Sequence, residues 1–179
     1  MLMSPHSGIT LKGGLLTLRP MLSADHEALY HIAADPLIWE QHPERTRYMP
    51  EVFARYLESA MASQSAFVAI DNISGEIIGS SRYYNYDPAT GNIAIGYTFL
   101  VRRCWANGYN KEMKCLMIDH AFTFAKTISF HVGSHNHRSR KTVEKTGATL
   151  YKTLQNEVEY RLAEEQWIQN AGYRPADRP

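Results

Sequence analysis

One stretch, residues 92–132, constrains the fold more than any other part of this chain. Residues 92–100 are apolar and typical of a β-strand, and residues 111–126 carry apolar side chains at helical spacing. Residues 128–132 are β-prone again. A strand, a helix and a second strand in this order predict two parallel strands joined by a right-handed crossover. The chain therefore requires an open sheet with a parallel pair and a helix packed on it.

The rest of the pattern predicts mainly antiparallel strands. Turn-forming segments at residues 71–75 and 87–91 separate three β-prone runs, at 66–70, 76–86 and 92–100, and predict a meander. The other predicted elements are a strand at 15–19, helices at 24–34, from Pro50 and from Asn136 to a C′ glycine at Gly147, and a hairpin of strands at 149–154 and 158–162.

Length and cysteine usage indicate the general class of protein. A chain of 179 residues can bury one core without help from a disulfide or a metal. It contains no linker, so we predict a single domain over residues 1–179, with loose tails at 1–14 and 168–179. Two cysteines, Cys104 and Cys115, form no disulfide framework and favour a reducing, cytoplasmic location.

Charge and metal-binding residues exclude several function classes. Lys and Arg number 19 and Asp and Glu 18, and a net charge of +1 argues against binding to duplex nucleic acid or to an anionic membrane. His131, His135 and His137 suggest a metal site, but no thiolate or carboxylate stands at ligand spacing, so we predict none. The predicted partner is a small molecule or a peptide, and the chain is a monomer or a homodimer.

Two loops are the most informative parts of the sequence. Residues 102–110 join the strand at 92–100 to a helix, and residues 136–141 begin another helix with a capping Asn136 and three basic side chains. In an open α/β sheet, ligands bind outside the carboxyl ends of the strands, where both loops lie. Helix N-termini present unpaired backbone N–H groups that bind phosphate oxygens. The sequence therefore predicts a nucleotide cofactor with a pyrophosphate between the two loops.

These loops also carry a resemblance to a known family. Arg103-Cys104-Trp105-Ala106-Asn107-Gly108 resembles the acetyl-CoA loop of the GNAT N-acetyltransferases, Arg/Gln-x-x-Gly-x-Gly/Ala, and Asn136-x-x-Ser139 with Glu144-Lys145-Thr146-Gly147-Ala148 resembles their second cofactor segment. The strand at 95–100 and Trp105 are similar to the Rim-type branch, which acetylates N-termini of ribosomal proteins. Residues 15–167 follow the element order of the family. The resemblance implies an α/β (α+β) GNAT fold, with a mixed, mostly antiparallel sheet of about six to seven strands, one splayed parallel pair and four surrounding helices.

The resemblance further implies direct transfer of acetyl from acetyl-CoA to an amine. The backbone of residues 97–101 would hold the pantetheine, and the N–H groups of 103–108 the pyrophosphate. The N–H of Phe99 would stabilise the oxyanion, and Asn136 with Ser139 would hold the sulfur and assist its departure. The implied cofactor-binding residues are Leu100, Val101, Arg103, Trp105, Ala106, Asn107, Gly108, Tyr109, Asn136, Arg138, Ser139 and Lys141.

Three positions depart from the family pattern. Ala106 stands where the first loop glycine is usual, which costs roughly 1 kcal/mol wherever φ is positive. Val143 stands where many members have a tyrosine that protonates the thiolate, so the resemblance passes that role to Ser139. Ala94 stands where a glutamate is frequent, so the usual strand carboxylate cannot serve as general base.

The missing base bears on the acceptor. An α-amine has a pKa of about 7.7 to 8.0 and is substantially neutral at pH 7, whereas a lysine or polyamine amine, with a pKa of about 10.4, is not. We therefore predict the N-terminal α-amine of a protein or peptide as the acceptor. Glu157 or Glu159 on the last hairpin is a candidate base that would act through water.

Several alternatives stay open at this point. The acceptor could be a small amine such as an amino acid, a polyamine or an antibiotic, and the three departures also fit a catalytically silent acyl-CoA-binding module. Residues 37–48 either close over the acceptor or are solvated surface. Trp105 either fills the core beneath the loop or contacts the cofactor.

Overall fold

The computed structural model describes residues 8–173 as one mixed sheet with helices on both faces. The strands are β1 (Leu11–Lys12), β2 (Leu16–Pro20), β3 (Ala66–Asp71), β4 (Ile77–Asp87), β5 (Asn92–Leu100), β6 (Thr127–Gly133), β7 (Thr149–Thr153) and β8 (Glu157–Ala163). The helices are α1 (His26–Ala33), α2 (Pro50–Ser63), α3 (Tyr109–Ala121), α4 (His137–Glu144) and α5 (Glu164–Gln169).

The strand order confirms the predicted fold class. Within the described residues the order is β1-β2-β3-β4-β5-β6-β8-β7, and every neighbouring pair is antiparallel except β5 and β6. The described part holds eight strands and five α-helices, where about six to seven strands and four helices were expected. The extra elements are the two-residue β1 and the short α5, which are too brief to give a periodic pattern.

The parallel pair is joined only at its beginning. Three residue pairs connect the strands, Asn92 with Thr127, Ile93 with Ile128, and Ala94 with Ser129. Beyond Ala94 the pairing stops, although β5 continues to Leu100 and β6 to Gly133. The two strands therefore separate towards their carboxyl ends, where the sequence predicts the cofactor.

The two faces of the sheet bury separate apolar clusters. Alternation along β3 places Phe67 and Ala69 with the residues of α3, and Ala66 and Val68 with those of α1 and α2. On the α3 side, Met113, Met117 and Ile118 have no exposed surface. Because both clusters extend to β5, this strand is held firmly from either face.

The loose tails are shorter than predicted. Gly14, Leu15 and Leu16 donate their backbone N–H groups to the carboxylate of Glu112 at 2.8, 2.8 and 2.9 Å. At the other end, α5 runs beyond residue 168, and the ring of Tyr173 is 8% exposed. A hydrogen-bonded carboxylate and a buried ring thus order parts of both expected tails. Residues 1–7 and 174–179 lie outside the described part of the chain.

Helix α3 also ends five residues before the predicted boundary at Lys126. The Thr123 hydroxyl donates to the carbonyl of His120 at 2.7 Å, which competes with the helical hydrogen-bond pattern. The backbone N–H of Lys126 already bonds to Gly91 O at 2.7 Å, at the beginning of β6. The chain therefore leaves the helix early in order to enter the sheet. Among the helices of residues 8–173, none is long and apolar enough to cross a membrane.

Candidate active site

The separation of β5 and β6 opens a cleft of about 890 Å³. Its walls come from β5, the following loop, the first turns of α3, the end of β6, the beginning of α4, and the segment of residues 38–47. A volume of this size is within the range of pockets that bind small molecules. The cleft lies at the position that sequence reasoning assigned to the cofactor.

A bulge in β5 produces the separation. Between the pairs Ser80 with Phe99 and Arg82 with Gly96, β4 advances two residues while β5 advances three. The extra residue is accommodated at Tyr97, whose φ is 54°. A bulge bends its strand and increases the local twist. This bend turns the end of β5 away from β6 and towards the segment of residues 38–47.

The loop after β5 ends in two residues with left-handed backbone conformation. Gly108 is the N-cap of α3 with φ 85°, and Ala106 has φ 60°. The alanine at the first loop position therefore adopts the conformation that favours glycine, at a cost of roughly 1 kcal/mol. The backbone N–H groups of the first turn of α3 have no intrahelical partner and carry the positive end of the helix dipole. Both left-handed residues line the cleft beside this turn.

The second loop meets the first through one stacked pair. Asn136 caps α4 by accepting from the backbone N–H of Ser139 at 3.0 Å. Arg138 places its guanidinium carbon 3.9 Å from the ring centroid of Trp105, and the indole N–H donates to Leu100 O at 3.0 Å. Trp105 packs against both apolar clusters and also lines the cleft, so it fills space beneath the loop, and its contact with a cofactor stays a prediction.

The structure gathers some of the predicted site residues and separates others. All four predicted catalytic residues line the cleft, as do many of the predicted cofactor residues: Phe99, Asn136, Ser139 and Glu157, with Leu100, Trp105, Ala106, Gly108 and Arg138. The other predicted cofactor residues stand outside the lining: Val101, Arg103, Asn107, Tyr109 and Lys141. The roles of all these residues stay predictions.

The residues outside the lining are engaged elsewhere. Arg103 forms an ion pair with Glu76 at 2.7 Å, and its carbonyl accepts from the amide of Asn107 at 2.9 Å. The hydroxyl of Tyr109 donates to Asp71 at 3.1 Å. Lys141 is exposed. These contacts engage the side chains of Arg103, Asn107 and Tyr109 outside the cleft lining.

The other two departures from the family pattern, Ala94 and Val143, are both buried. Ala94 is fully buried at the point where β5 and β6 part, and Val143 lies beneath the cleft with 2% of its surface exposed. Glu159 accepts hydrogen bonds from Ser129 and Arg161 and does not line the cleft. Of the two candidate bases, Glu157 is therefore the one that faces the reaction space.

Sequence reasoning missed Lys114, which lies in the middle of the cleft. Its ammonium donates to the hydroxyl of Thr98 at 3.3 Å and stands 5.4 Å from the ring centroid of Phe130. Only 6% of this residue is exposed, and burial lowers its pKa to about 8. The available signal was its spacing, because a residue three positions before Met117 and seven before Ala121 lies on the buried face of α3.

Sequence reasoning left the role of residues 37–48 open, and the structure places them against the cleft. Pro43 approaches β6 so closely that a Cβ on Gly133 would lie 2.8 Å from its Cγ. The guanidinium of Arg47 lies 5.1 Å from the ring centroids of both Trp39 and Tyr56. This segment therefore forms a wall of the cleft on the side away from α3.

Two histidines, His42 of this segment and His131 of β6, also line the cleft. The Nε2 atom of His42 lies 3.1 Å from Nη1 of Arg47. Burial and the charge of Arg47 lower the pKa of His42 to about 4. This ring is neutral at physiological pH. His131 shares a hydrogen bond of 2.7 Å with the hydroxyl of Tyr84, and burial raises the pKa of that phenol. Neither histidine belongs to a metal cluster among the described residues.

The family model for the acetyltransferase (GNAT) domain matches residues 16–149, which is more than half of the chain. The chain belongs to the GNAT acetyltransferase family. Its match includes both left-handed loop residues and all of α4. The predicted family and its acetyltransferase activity are thus confirmed. No curated protein matches this GNAT acetyltransferase.

Solved structures resemble this GNAT acetyltransferase in fold. A probable acetyltransferase from Chromobacterium violaceum is 20% identical, with a TM-score of 0.78 over 90% of this chain and 89% of that one. RimJ of Mycobacterium smegmatis, in complex with CoA-disulfide, is 17% identical, with a TM-score of 0.73 over 93% of each chain. Spermidine N-acetyltransferase of Vibrio cholerae, with CoA and spermine, is 14% identical, with a TM-score of 0.70 over 87% and 99%. Identities this low show the fold alone, so membership of the Rim-type branch stays a prediction.

Proposed function

We propose that this GNAT enzyme transfers acetyl from acetyl-CoA to the N-terminal α-amine of a peptide or protein, as a Rim-type enzyme of the cytoplasm. The observation that carries this proposal is the fully buried Ala94 at the fork of β5 and β6, where the family often has a carboxylate. Without that base, an amine that is already partly neutral at pH 7 is the favoured nucleophile. An α-amine meets this condition and a lysine side chain does not.

The cleft has the features that acetyl-CoA requires. The first turn of α3 supplies unpaired N–H groups for a pyrophosphate, and Ala106 and Gly108 let the loop turn tightly beside it. Arg138, fixed by its stack on Trp105 and by a hydrogen bond of 3.2 Å to Ile38 O, offers a positive charge at the same edge. When bound, acetyl-CoA supplies a thioester whose acetyl group an amine can accept.

Three groups of the chain would assist the transfer. The backbone N–H of Phe99, beyond the bulge at Tyr97, would stabilise negative charge on the carbonyl oxygen. Ser139, whose backbone is fixed by the Asn136 cap, lines the cleft, and its hydroxyl would donate the proton to the sulfur. Glu157 lines the opposite part of the cleft and would remove the acceptor proton through water.

Mass spectrometry of a set of acceptors incubated with acetyl-CoA tests the proposal. The set comprises a short peptide with an unblocked N-terminus, the same peptide with an Nα-formyl group and one lysine, and spermidine. We expect acetylation of the unblocked peptide only, and a decrease of kcat by about a hundredfold in Ser139→Ala. Ser134→Ala is the matched control, since its buried hydroxyl has no hydrogen-bond partner among the described residues and does not line the cleft.

Other outcomes would contradict the proposal. Faster acetylation of the lysine or of spermidine would overturn the assignment of an α-amine. CoA binding without turnover of any acceptor would instead favour a silent acyl-CoA-binding module. A normal rate in Ser139→Ala would remove this residue from the proton-transfer step while leaving the acceptor assignment intact.

A further inference from the structure

The wall of the cleft opposite α3 carries two arginines near each other. Arg47 lines the cleft itself, half-buried between the rings of Trp39 and Tyr56. Arg82 lies behind this surface on β4, with its guanidinium carbon 3.5 Å from the ring centroid of Tyr97. Both arginines act electrostatically on the hydroxyl of Tyr56, which places their charges close to the same point.

Arg82 is buried without a compensating anion. It is 4% exposed, and its only hydrogen bond within the described residues runs from Nη2 to the hydroxyl of Ser59 at 3.1 Å. Its Nε and Nη1 atoms have no partner in that part of the chain. The stack on Tyr97 satisfies one face of the guanidinium, but no carboxylate of residues 8–173 forms an ion pair with it. A buried charge without a counter-ion is costly to a folded protein.

Arg47 likewise forms no ion pair with the described residues. The nearest acidic influence is Glu44, whose carboxylate is exposed and accepts hydrogen bonds from the backbone and hydroxyl of Thr46. The adjacent His42 is neutral and leaves the positive charge uncompensated. One wall of the cleft thus has two positive charges, at Arg47 and Arg82, for which the described residues provide no ion-pair partner.

The same cleft also contains an acidic group, Glu157. Tyr97 is 38% exposed, and its ring lies 5.2 Å from that of Tyr84. The charges of Glu157 and Arg82 act on the hydroxyl of Tyr84 with opposite sign, so that Glu157 raises the pKa of this phenol and Arg82 lowers it. The cleft is therefore lined by a cation at Arg47, an anion at Glu157 and the two tyrosines.

We propose that the acceptor carries a carboxylate close to its amine, and that Arg47 binds this carboxylate while Glu157 faces the amine. The inference rests on the proposed function and names its substrate class: an α-amine with an acidic neighbour, either a peptide whose first residues include Asp or Glu, or a free α-amino acid. A guanidinium presents parallel N–H donors that match a carboxylate. Arg82, stacked on Tyr97 behind the cleft surface, adds a second positive charge to the electrostatic potential at this wall. A polyamine would place its positive charges against the same two arginines and is disfavoured.

Matched acceptors test this proposal. We compare kcat/KM for two peptides that differ only in Glu or Gln at the second position, and for glutamine against its α-carboxamide. An ion pair of this kind corresponds to roughly a tenfold preference for each acidic member. A preference confined to the peptide pair identifies a peptide N-terminus as the source of the carboxylate, and one confined to the amino-acid pair identifies a free amino acid.

Variants connect the preference to its residues. Arg47→Met is expected to reduce the ratio within each pair to about one, whereas Arg47→Lys retains part of it. Arg45→Met is the control, because Arg45 is exposed two positions away and does not line the cleft. Because Arg82 is buried, its contribution is tested with Arg82→Lys, which keeps the charge, rather than with a neutral variant. We expect Arg82→Lys to reduce the kcat/KM ratio within each pair less than Arg47→Met does.

A binding measurement makes the test independent of turnover. Titration calorimetry with the Nα-acetylated Glu and Gln peptides should show the same preference in wild type and its loss in Arg47→Met. Equal kinetics and equal binding within both pairs would overturn the carboxylate proposal while leaving the α-amine assignment intact. If lysine side chains were acetylated and an acidic neighbour were still preferred, the α-amine assignment would be wrong. The proposal that Arg47 binds a carboxylate of the acceptor would then be supported.

Discussion

The two sides of the cleft are built in different ways. The donor side consists of two short segments, residues 102–110 and 136–141, which are each continuous in sequence and offer mainly backbone groups. The acceptor side combines side chains from the 38–47 segment, β4, β5, β6 and β8. Backbone donors tolerate many side chains, so a donor site persists across a family, whereas an acceptor site changes with single substitutions. Proteins that share this fold and this donor can therefore differ in their acceptor.

The largest effect is expected where bulk enters the donor loop. Gly108→Trp should weaken CoA binding by about a thousandfold, because Gly108 lines the cleft with φ 85° and a Cβ there already lies 3.2 Å from Leu15 Cδ1. Calorimetric titration with CoA measures this change. Gly75→Trp is the control, with a similar φ of 72° and nothing within 4 Å of its Cβ. Unchanged affinity in Gly108→Trp would show that the phosphates bind elsewhere.

Lys114, between the two sides, should affect stability through its charge. Burial lowers its pKa to about 8 from a usual 10.5. The side chain therefore binds its proton less tightly in the folded protein than in the unfolded chain. The penalty is complete below pH 8 and disappears as the pH rises to 10.5, amounting to about 3.5 kcal/mol at about 1.4 kcal/mol per pH unit.

Lys114→Met should therefore be more stable than wild type at pH 7, and the difference in unfolding free energy should shrink between pH 8 and 10.5. Urea unfolding at a series of pH values measures the difference, and Lys111→Met, one turn earlier at the cleft edge, is the comparison variant. A difference that does not vary with pH would mean that Lys114 keeps its ordinary pKa in the folded protein.

The next effect separates two arginines of the donor side. Arg138→Met should raise the KM for acetyl-CoA about fivefold, because Arg138 lines the cleft and joins the two loops through Trp105. Arg103→Met should change KM by less than about twofold, since its ion pair with Glu76 is half-exposed and stands outside the cleft. Steady-state kinetics compare the two variants. The reverse order of effects would restore Arg103 as a cofactor ligand.

The smallest effect concerns backbone strain in the donor loop. Ala106→Gly should stabilise the protein by about 0.5 to 1 kcal/mol, because Ala106 has φ 60° and glycine adopts this conformation without strain. Urea unfolding measures the change, and Ala89→Gly on the exposed β4–β5 turn is a control that should not stabilise. A loss of stability in Ala106→Gly would contradict this prediction. It would show that the smaller conformational entropy of alanine in the unfolded chain outweighs the strain of its positive φ in the folded protein.

Much of the fold could be predicted because its elements have local signatures. The meander of β3, β4 and β5, the crossover through α3 and the final hairpin all follow from periodicity and turn residues. Element ends were less predictable, since the end of α3 depends on the bond between Lys126 and Gly91. The conformation of residues 14–16 depends on a distant partner, Glu112, which no local sequence pattern predicts.

Local sequence was enough to assign the family and to predict the donor. Helix caps, left-handed residues and free backbone N–H groups are local properties, and neighbouring residues specify them. The side chains that line the proposed acceptor part of the cleft come together only through the fold. Arg47 and Glu157 are 110 positions apart, and the bulge at Tyr97, the approach of Pro43 to Gly133 and the sheet order bring them to one cleft. Charge complementarity depends on distances through space, and spacing along the chain does not set those distances.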